Sequence, residues 1–228
     1  MNLKNKLREA ELLESDGLRM DRSTRQQRIA PVYIHPQALV ETEMIGPGTR
    51  IWAFTHVSEG AVVGANCNVG SHCYLESGVI VGDGVTIKNG NYVWTGVTIC
   101  DGAFIGPQVV FTNDLHPRSP RLPHAASRYS SQAWLSPTMV GEGASIGAGA
   151  VILAGISLNK FCMVAAGAIV TKTVPAHALV IGLPARVAGW VCCCGEKLNF
   201  DQMRDTTAHC EHCSYEFEYV EGELQLQP

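Results

Sequence analysis

A chain of 228 residues with a formal charge of −4, 46% hydrophobic and 17% charged residues, has room for one large domain or a domain with a small appendage. The negative balance argues against a nucleic-acid surface, and with no apolar run of 18 residues no membrane insertion is expected. The first 28 residues are strongly charged and lack a signal-peptide pattern, so the protein is expected to be cytoplasmic.

Residues 1–31 read as a polar N-terminal arm. Leu3, Leu7, Glu11 and Glu14 could line one weakly amphipathic helix, and a solvated or disordered arm is the expectation. From Val32 the chain changes character. Ile34 and Val40 are six apart, a five-residue step leads to Ile45, and a regular ladder follows: Ile51, Val57, Val63, Val69, Leu75, Val81, Ile87, Val93, Ile99, Ile105, Phe111. It resumes at Val140 with Ile146, Ile152, Leu158, Val164 and Val170. Neither a helix nor an isolated strand has a six-residue period. A solenoid of short strands and corners does.

The positions between rungs agree. Three residues after a rung, Gly occurs 11 times in 18, which places the turns. Four residues after a rung the side chains are small or β-branched, including Thr49, Thr55, Cys67, Cys73, Val85, Ala144 and Cys162, as a second inward column requires. Cysteines in that column behave as small hydrophobes rather than disulfide partners. Asn91 is the exception, and Asn89 sits in the same turn. Polar breaks in a regular pattern often mark function, so both are expected to belong to the site.

After Phe111 the next rung is due at residue 117 and arrives at Val140, so 23 extra residues leave the prism. Inserts of that length in a compact repeat are usually functional. The segment Val174–Trp190 carries Pro175 and Pro184 and is expected to leave the repeat, closing a solenoid domain of residues 32–190. Residues 191–228 hold Cys192-x-Cys194 and Cys210-x-x-Cys213, a spacing close to that of a zinc ribbon with a structural zinc. Cys193 could replace Cys192, His209 or His212 could substitute as a ligand, and unligated thiols are the alternative.

The stretches Ile87-Lys-Asn-Gly-Asn-Tyr-Val-Trp-Thr-Gly-Val97, Phe104-Ile-Gly-Pro-Gln-Val-Val-Phe-Thr-Asn-Asp114 and Pro117-Arg-Ser119 resemble the hexapeptide-repeat nucleotide-amino-sugar N-acyltransferases. These include enzymes acting on UDP-2-acetamido-3-amino-2,3-dideoxyglucuronate and on dTDP-3-amino-3,6-dideoxyhexoses. The likeness continues through Trp134–Ala148 and Gly182–Trp190. It implies an all-β fold, a left-handed parallel β-helix, assembled as a homotrimer. Acyl-CoA, with acetyl-CoA the commonest donor, and a nucleotide-linked amino sugar would bind between neighbouring prisms. The insert would then reach a neighbour's site. The family more often has Asn where this chain has Gly90, and Tyr where it has Trp94.

On that resemblance, Asn89 matches the position that holds the acceptor amine, with turn formation as its bland alternative. His116 could relay the proton, or be a substrate contact or an ordinary loop residue. Arg118 and Arg121 could meet a pyrophosphate. Asn113 and Asp114 would touch substrate or stabilise the loop exit, and Trp94 would shape the sugar pocket. Ala148 and Ala166 leave room for a pantetheine arm, and Lys172 and Arg186 could meet CoA phosphates. Two other readings stay open at this point. One is O-acetylation of a small hydroxylated acceptor, with His116 as an essential base. The other is a γ-carbonic-anhydrase-like or non-catalytic prism using His72, His116 and His124.

Overall fold

The computed structural model describes residues 30–227, so the expected N-terminal arm lies, except for Ala30 and Pro31, outside the described residues. Most hexapeptides form a two-residue strand and a four-residue turn, with three-residue strands at Val97–Ile99 and Thr138–Val140. In Arg50–Ile51 the second residue points inward and is fully buried while the first stays exposed. Three strands complete one triangular coil, and the coils stack in parallel as a left-handed β-helix.

The three faces are continuous ladders. The first face runs through Tyr33–Ile34, Arg50–Ile51, Asn68–Val69, Thr86–Ile87, Phe104–Ile105, Ser145–Ile146 and Met163–Val164. The second runs from Leu39–Val40 to Ile169–Val170, and the third from Val62–Val63 to Ser157–Leu158. Rungs 18 apart stack, as Ile51 on Val69 on Ile87 on Ile105. Ile105 then pairs with Ile146, and 146 − 105 = 41 is one 18-residue coil plus the 23 inserted residues. The excursion therefore leaves the stack undisturbed.

Inside, the second column is tied together by a polar device that the hexapeptide period does not announce. Thr49 Oγ1 donates to Gly64 O at 2.7 Å, Thr55 Oγ1 to Gly70 O at 2.6 Å and Cys67 Sγ to Gly82 O at 3.0 Å. Asn91 continues the series. Its Nδ2 donates to Gly106 O at 2.9 Å and to Lys88 O at 2.6 Å, while its Oδ1 accepts Val109 N–H at 2.9 Å. Asn91 is fully buried. The expectation that it belongs to the site is corrected: it is a core strut, and losing it would strand buried backbone groups at about 1–3 kcal/mol. Burial likewise raises the Cys67 and Cys73 thiols and pushes Cys162 up to about 12, which keeps them protonated and inert.

The end of the ladder also differs from expectation. Val174 still bridges to Leu158, and Ala178–Gly182 stacks on Met163–Val164 as one more first-face strand. The step from Val164 to Val180 is 16 residues instead of 18. The chain then reverses, and Ala185–Val191 pairs antiparallel with Ala178–Gly182 and next with Lys197–Leu198. The sheet thus runs unbroken into the tail, which ends in a small antiparallel sheet of Thr207–His209, Glu216–Val220 and Glu223–Leu226. Among the described residues, no helix is long and apolar enough to cross a membrane.

Candidate active site

Like the corner that follows the third face at Gly46, Gly64, Gly82 and Gly141, the corner between the first and second faces is bare. Coils there approach so closely that a Cβ on Gly106 would stand 2.7 Å from Ile146 O, and one on Gly147 would stand 2.4 Å from Ala166 N. Backbone bonds stack the turns in one column: Gly90 N to Ser71 O, Gln108 N to Asn89 O, Gly149 N to Pro107 O and Gly167 N to Ala148 O. Asn89, Ala148 and Ala166 therefore share this corner, and all three are exposed. Asn89 Oδ1 accepts the Ser71 N–H at 3.1 Å, which sets the amide's orientation. Its Nδ2 has no partner among the described residues. Beside it, Lys88 Nζ stands 5.9 Å above the Phe104 ring, a cation on an otherwise neutral corner.

From that corner the second face leads outward over an aromatic ledge. Trp94 stacks on Tyr92 with centroids 6.0 Å apart and 16° between planes, and its edge meets Tyr74 at 5.8 Å. Tyr92 is 54% exposed, far more than a ring of its size needs to be when a core is near. A shallow groove runs over Gly90, Tyr92, Trp94, Gln108, Val110 and Phe111. Tyr74 and Tyr92 were not among the sequence candidates. Their outward positions, one residue before a rung, were the available signal.

The insert leaves from the next corner, between the second and third faces. Its base is clamped: Asn113 Nδ2 donates to Thr95 O at 3.2 Å, Ser136 N–H donates to Asn113 O at 2.9 Å, and Asp114 bridges to Leu135. Asp114 is the hub of the loop beyond this clamp. Its carboxylate accepts from the His116 N–H at 2.8 Å, the Tyr129 hydroxyl at 2.8 Å and the Arg128 guanidinium. Burial would raise this carboxyl, but those three donors outweigh it and hold it below the usual carboxylate range. Tyr129 accepts from Arg118 N–H at 2.8 Å and packs its ring 5.7 Å from Trp134. Arg128 and Tyr129 were missed because no period operates inside the insert. The side chains of His116, Arg118 and Arg121 are exposed.

Asn89 and His116 are therefore not brought together within one chain. Asn89 follows a first-face strand and Asn113 follows a second-face strand, so the width of the second face separates their corners. Lys172 lies exposed at the same corner as the insert, and Arg186 lies on the hairpin of Ala178–Gly182 and Ala185–Val191 with its Nη1 donating to Ala185 O. Neither contacts the bare corner through a hydrogen bond. His72 stacks on Phe54 at 4.9 Å. Among the described residues, the only group of three or more His, Cys, Asp and Glu side chains placed to hold a metal is Cys192, Cys194, Cys210 and Cys213, which includes none of His72, His116 and His124.

Residues 44–77 match the family described as "Bacterial transferase hexapeptide (six repeats)", and residues 137–172 match "Hexapeptide repeat of succinyl-transferase". The chain is 48% identical over 190 residues to a dTDP-3-amino-3,6-dideoxy-α-D-galactopyranose 3-N-acetyltransferase of Aneurinibacillus thermoaerophilus, covering 83% of this chain and 92% of that one. A 2,3,4,5-tetrahydropyridine-2,6-dicarboxylate N-acetyltransferase of Staphylococcus aureus is 54% identical over 52 residues, 23% of this chain and 22% of that one. Among solved structures, the acetyltransferase domain of PglB from Neisseria gonorrhoeae matches 69% of this chain and 57% of its own at 22% identity, with a TM-score of 0.46.

Proposed function

Since the chain belongs to the hexapeptide-repeat sugar-nucleotide N-acetyltransferases, we propose that it transfers the acetyl group of acetyl-CoA to the amine of a nucleotide-linked amino sugar. The observation that carries this reading is identity of 48% spread over 92% of an acetyltransferase of a dTDP-3-amino-3,6-dideoxyhexose. A dTDP-linked 3-amino sugar is the first acceptor to try. The free buried thiols of Cys67, Cys73 and Cys162 suit a reducing compartment, in keeping with a cytoplasmic enzyme.

Two surfaces in one chain supply different halves of the chemistry. The bare corner, with Ala148 and Ala166, offers a lane for the pantetheine arm, and Lys88 offers a cation for phosphate. The aromatic ledge and the insert offer a sugar-nucleotide surface, with the exposed Arg118, whose Nη1 donates to Pro117 O at 2.9 Å, and the exposed Arg121 as cations for the diphosphate. Because Asn89 and the insert of one chain stand at different corners, the reading takes the protein as a homotrimer. In that assembly the insert of one copy completes the corner of the next.

The step itself needs little base. The amine nitrogen attacks the thioester carbonyl carbon, the C–N bond forms, and the C–S bond then breaks with its electron pair leaving on the CoA sulfur. The proton lost by the amine goes to that thiolate, directly or through His116. Asn89 acts on both sides of this step. Its Nδ2 donates to the carbonyl oxygen as negative charge develops, and the second lone pair of its Oδ1 remains for the amine. Orientation and this donor carry most of the acceleration.

A free-thiol assay with acetyl-CoA and a panel of dTDP- and UDP-linked amino sugars tests the reading. Release of CoA with a 3-amino sugar supports it, whereas release only with hydroxyl acceptors overturns it. Asn89→Ala should lower kcat by roughly 10²-fold, the scale for one lost oxyanion donor, with unchanged assembly by light scattering. Unchanged kcat would remove Asn89 from the mechanism.

A further inference from the structure

The tail's four thiols are placed by two hairpin turns. The first joins Ala185–Val191 to Lys197–Leu198, where Cys192 N–H donates to Glu196 O at 2.8 Å and Gly195 N–H to Cys192 O at 2.9 Å. The second joins Thr207–His209 to Glu216–Val220, where Cys210 N–H donates to Tyr215 O at 2.9 Å and Ser214 N–H to Cys210 O at 2.8 Å. Each turn ends on a left-handed residue, Gly195 at φ +95° and Ser214 at φ +61°, which curls the loop and turns its thiols the same way.

The result is one cluster. The Sγ atoms of Cys192, Cys194, Cys210 and Cys213 all lie within 4.8 Å of one another, with Cys192 to Cys213 at 3.3 Å and Cys194 to Cys210 at 3.7 Å. A tetrahedral zinc with Zn–S bonds of about 2.3 Å sets its sulfurs about 3.8 Å apart, whereas a disulfide needs about 2.05 Å. Four soft sulfur donors gathered this closely favour a soft metal such as zinc over hard cations. Cys193 Sγ comes within 3.8 Å of Cys192 Sγ but, like His209 and His212, is not in the set of four that are all mutually close.

What the cluster fastens is the end of the prism. Phe217, Leu224, Leu198 and Trp190 are buried, and the rings of Trp190, Phe200 and Tyr219 meet at 5.3 to 6.0 Å. Phe217 meets the edge of His177 at 4.9 Å, His177 stacks on Phe161 at 5.3 Å, and Glu223 accepts from Asn159 Nδ2 and Ala176 N–H. A solenoid exposes open strand edges and an apolar cross-section at its last coil unless something covers them. The cover here is a sheet with strands of 3, 5 and 4 residues, too small to hold itself.

We propose that Cys192, Cys194, Cys210 and Cys213 bind one structural zinc ion, and that this ion holds the tail as a lid across the C-terminal end of the solenoid. The site is separate from acetyl transfer and stands whether or not the acceptor sugar is correctly assigned. Each thiol loses its proton on binding, so zinc uptake releases protons.

The full-length protein, purified without chelator, should contain close to one zinc per chain by elemental analysis. Cys210→Ser and Cys194→Ser should lose the metal and the hydrogen-exchange protection of the amides in 207–226, while Cys193→Ser keeps both. Because removing a ligand can also prevent folding, the native protein is in addition stripped of metal and refilled with cobalt(II), which should give the intense sulfur-to-cobalt charge-transfer band of a tetrathiolate. Zinc-free protein with full tail protection, equal loss of metal in Cys193→Ser, or a cobalt spectrum lacking that band would each overturn the proposal.

Discussion

Residues 112–139 and residues 191–227 both depart from the same six-residue repeat, and they are held by different physics. The insert leaves the side of the prism, stays largely exposed, and is organised by charge-assisted bonds converging on Asp114. The tail leaves the end of the prism and buries Trp190, Leu198, Phe217 and Leu224 against one another and the last coil. A polar hub shapes a loop while keeping its surface available to a ligand. An apolar contact removes surface from water and adds stability. The difference separates a part built to meet something from a part built to cover something.

The sharpest way to break that comparison is Phe217→Ala. A fully buried phenylalanine truncated to alanine costs about 3–5 kcal/mol. The loss should appear as faster hydrogen exchange throughout 207–226, with acetyl transfer retained below the new melting point. If exchange in the tail is unaltered, apolar burial is not what holds it.

Asp114→Asn probes the other side. The substitution keeps the shape and removes the charge facing Arg128, so the insert should open and be cut by trypsin at Arg118 and Arg121 roughly tenfold faster. Transfer to the sugar acceptor should weaken through KM, with the melting temperature of the prism unmoved. A fall in melting temperature matching that of Phe217→Ala would erase the distinction between the two regions.

The smallest effect concerns pH at the seam between prism and tail. Burial lowers the His177 imidazole from its ordinary value of about 6.5, outweighing the Val191 carbonyl that accepts from Nδ1 at 2.9 Å. Above 6.5 the ring is neutral both folded and unfolded, so its contribution to stability is complete there. As pH falls below 6.5 the unfolded chain binds the proton first, and that contribution is lost. Thermal melts should therefore drop between pH 7.5 and pH 5.5, and by less in His177→Gln. Identical drops would assign the pH response elsewhere.

Most of the prism was legible in the chain because its cause is local. Each rung specifies a strand, a turn and an inward side chain within six residues, so Ile105 finds Ile146 across the insert by register alone. The roles of Asn89 and Asn91 were harder, although the four-after-rung rule already pointed Asn91 inward. What the pattern could not tell was that an amide there would satisfy three backbone groups, Lys88 O in its own turn and Gly106 O and Val109 N–H in the next coil. Arg128 and Tyr129 were invisible, since they meet Asp114 across 14 and 15 residues of aperiodic loop.

By itself the sequence determined the solenoid, its register, the place of the insert and the two cysteine-bearing segments of the tail, while the choice of Cys192 over Cys193 waited for the structure. These follow from short-range periodicity and from residue chemistry at fixed spacing. Only the tertiary structure decided that Asn91 braces the core while Asn89 stays exposed, that Asp114 is spent on its own loop, that Asn89 and His116 stand at different corners, and that the tail lies against the last coil. Those outcomes depend on contacts between segments far apart in the chain, where stacking geometry and burial, rather than spacing, choose the partner.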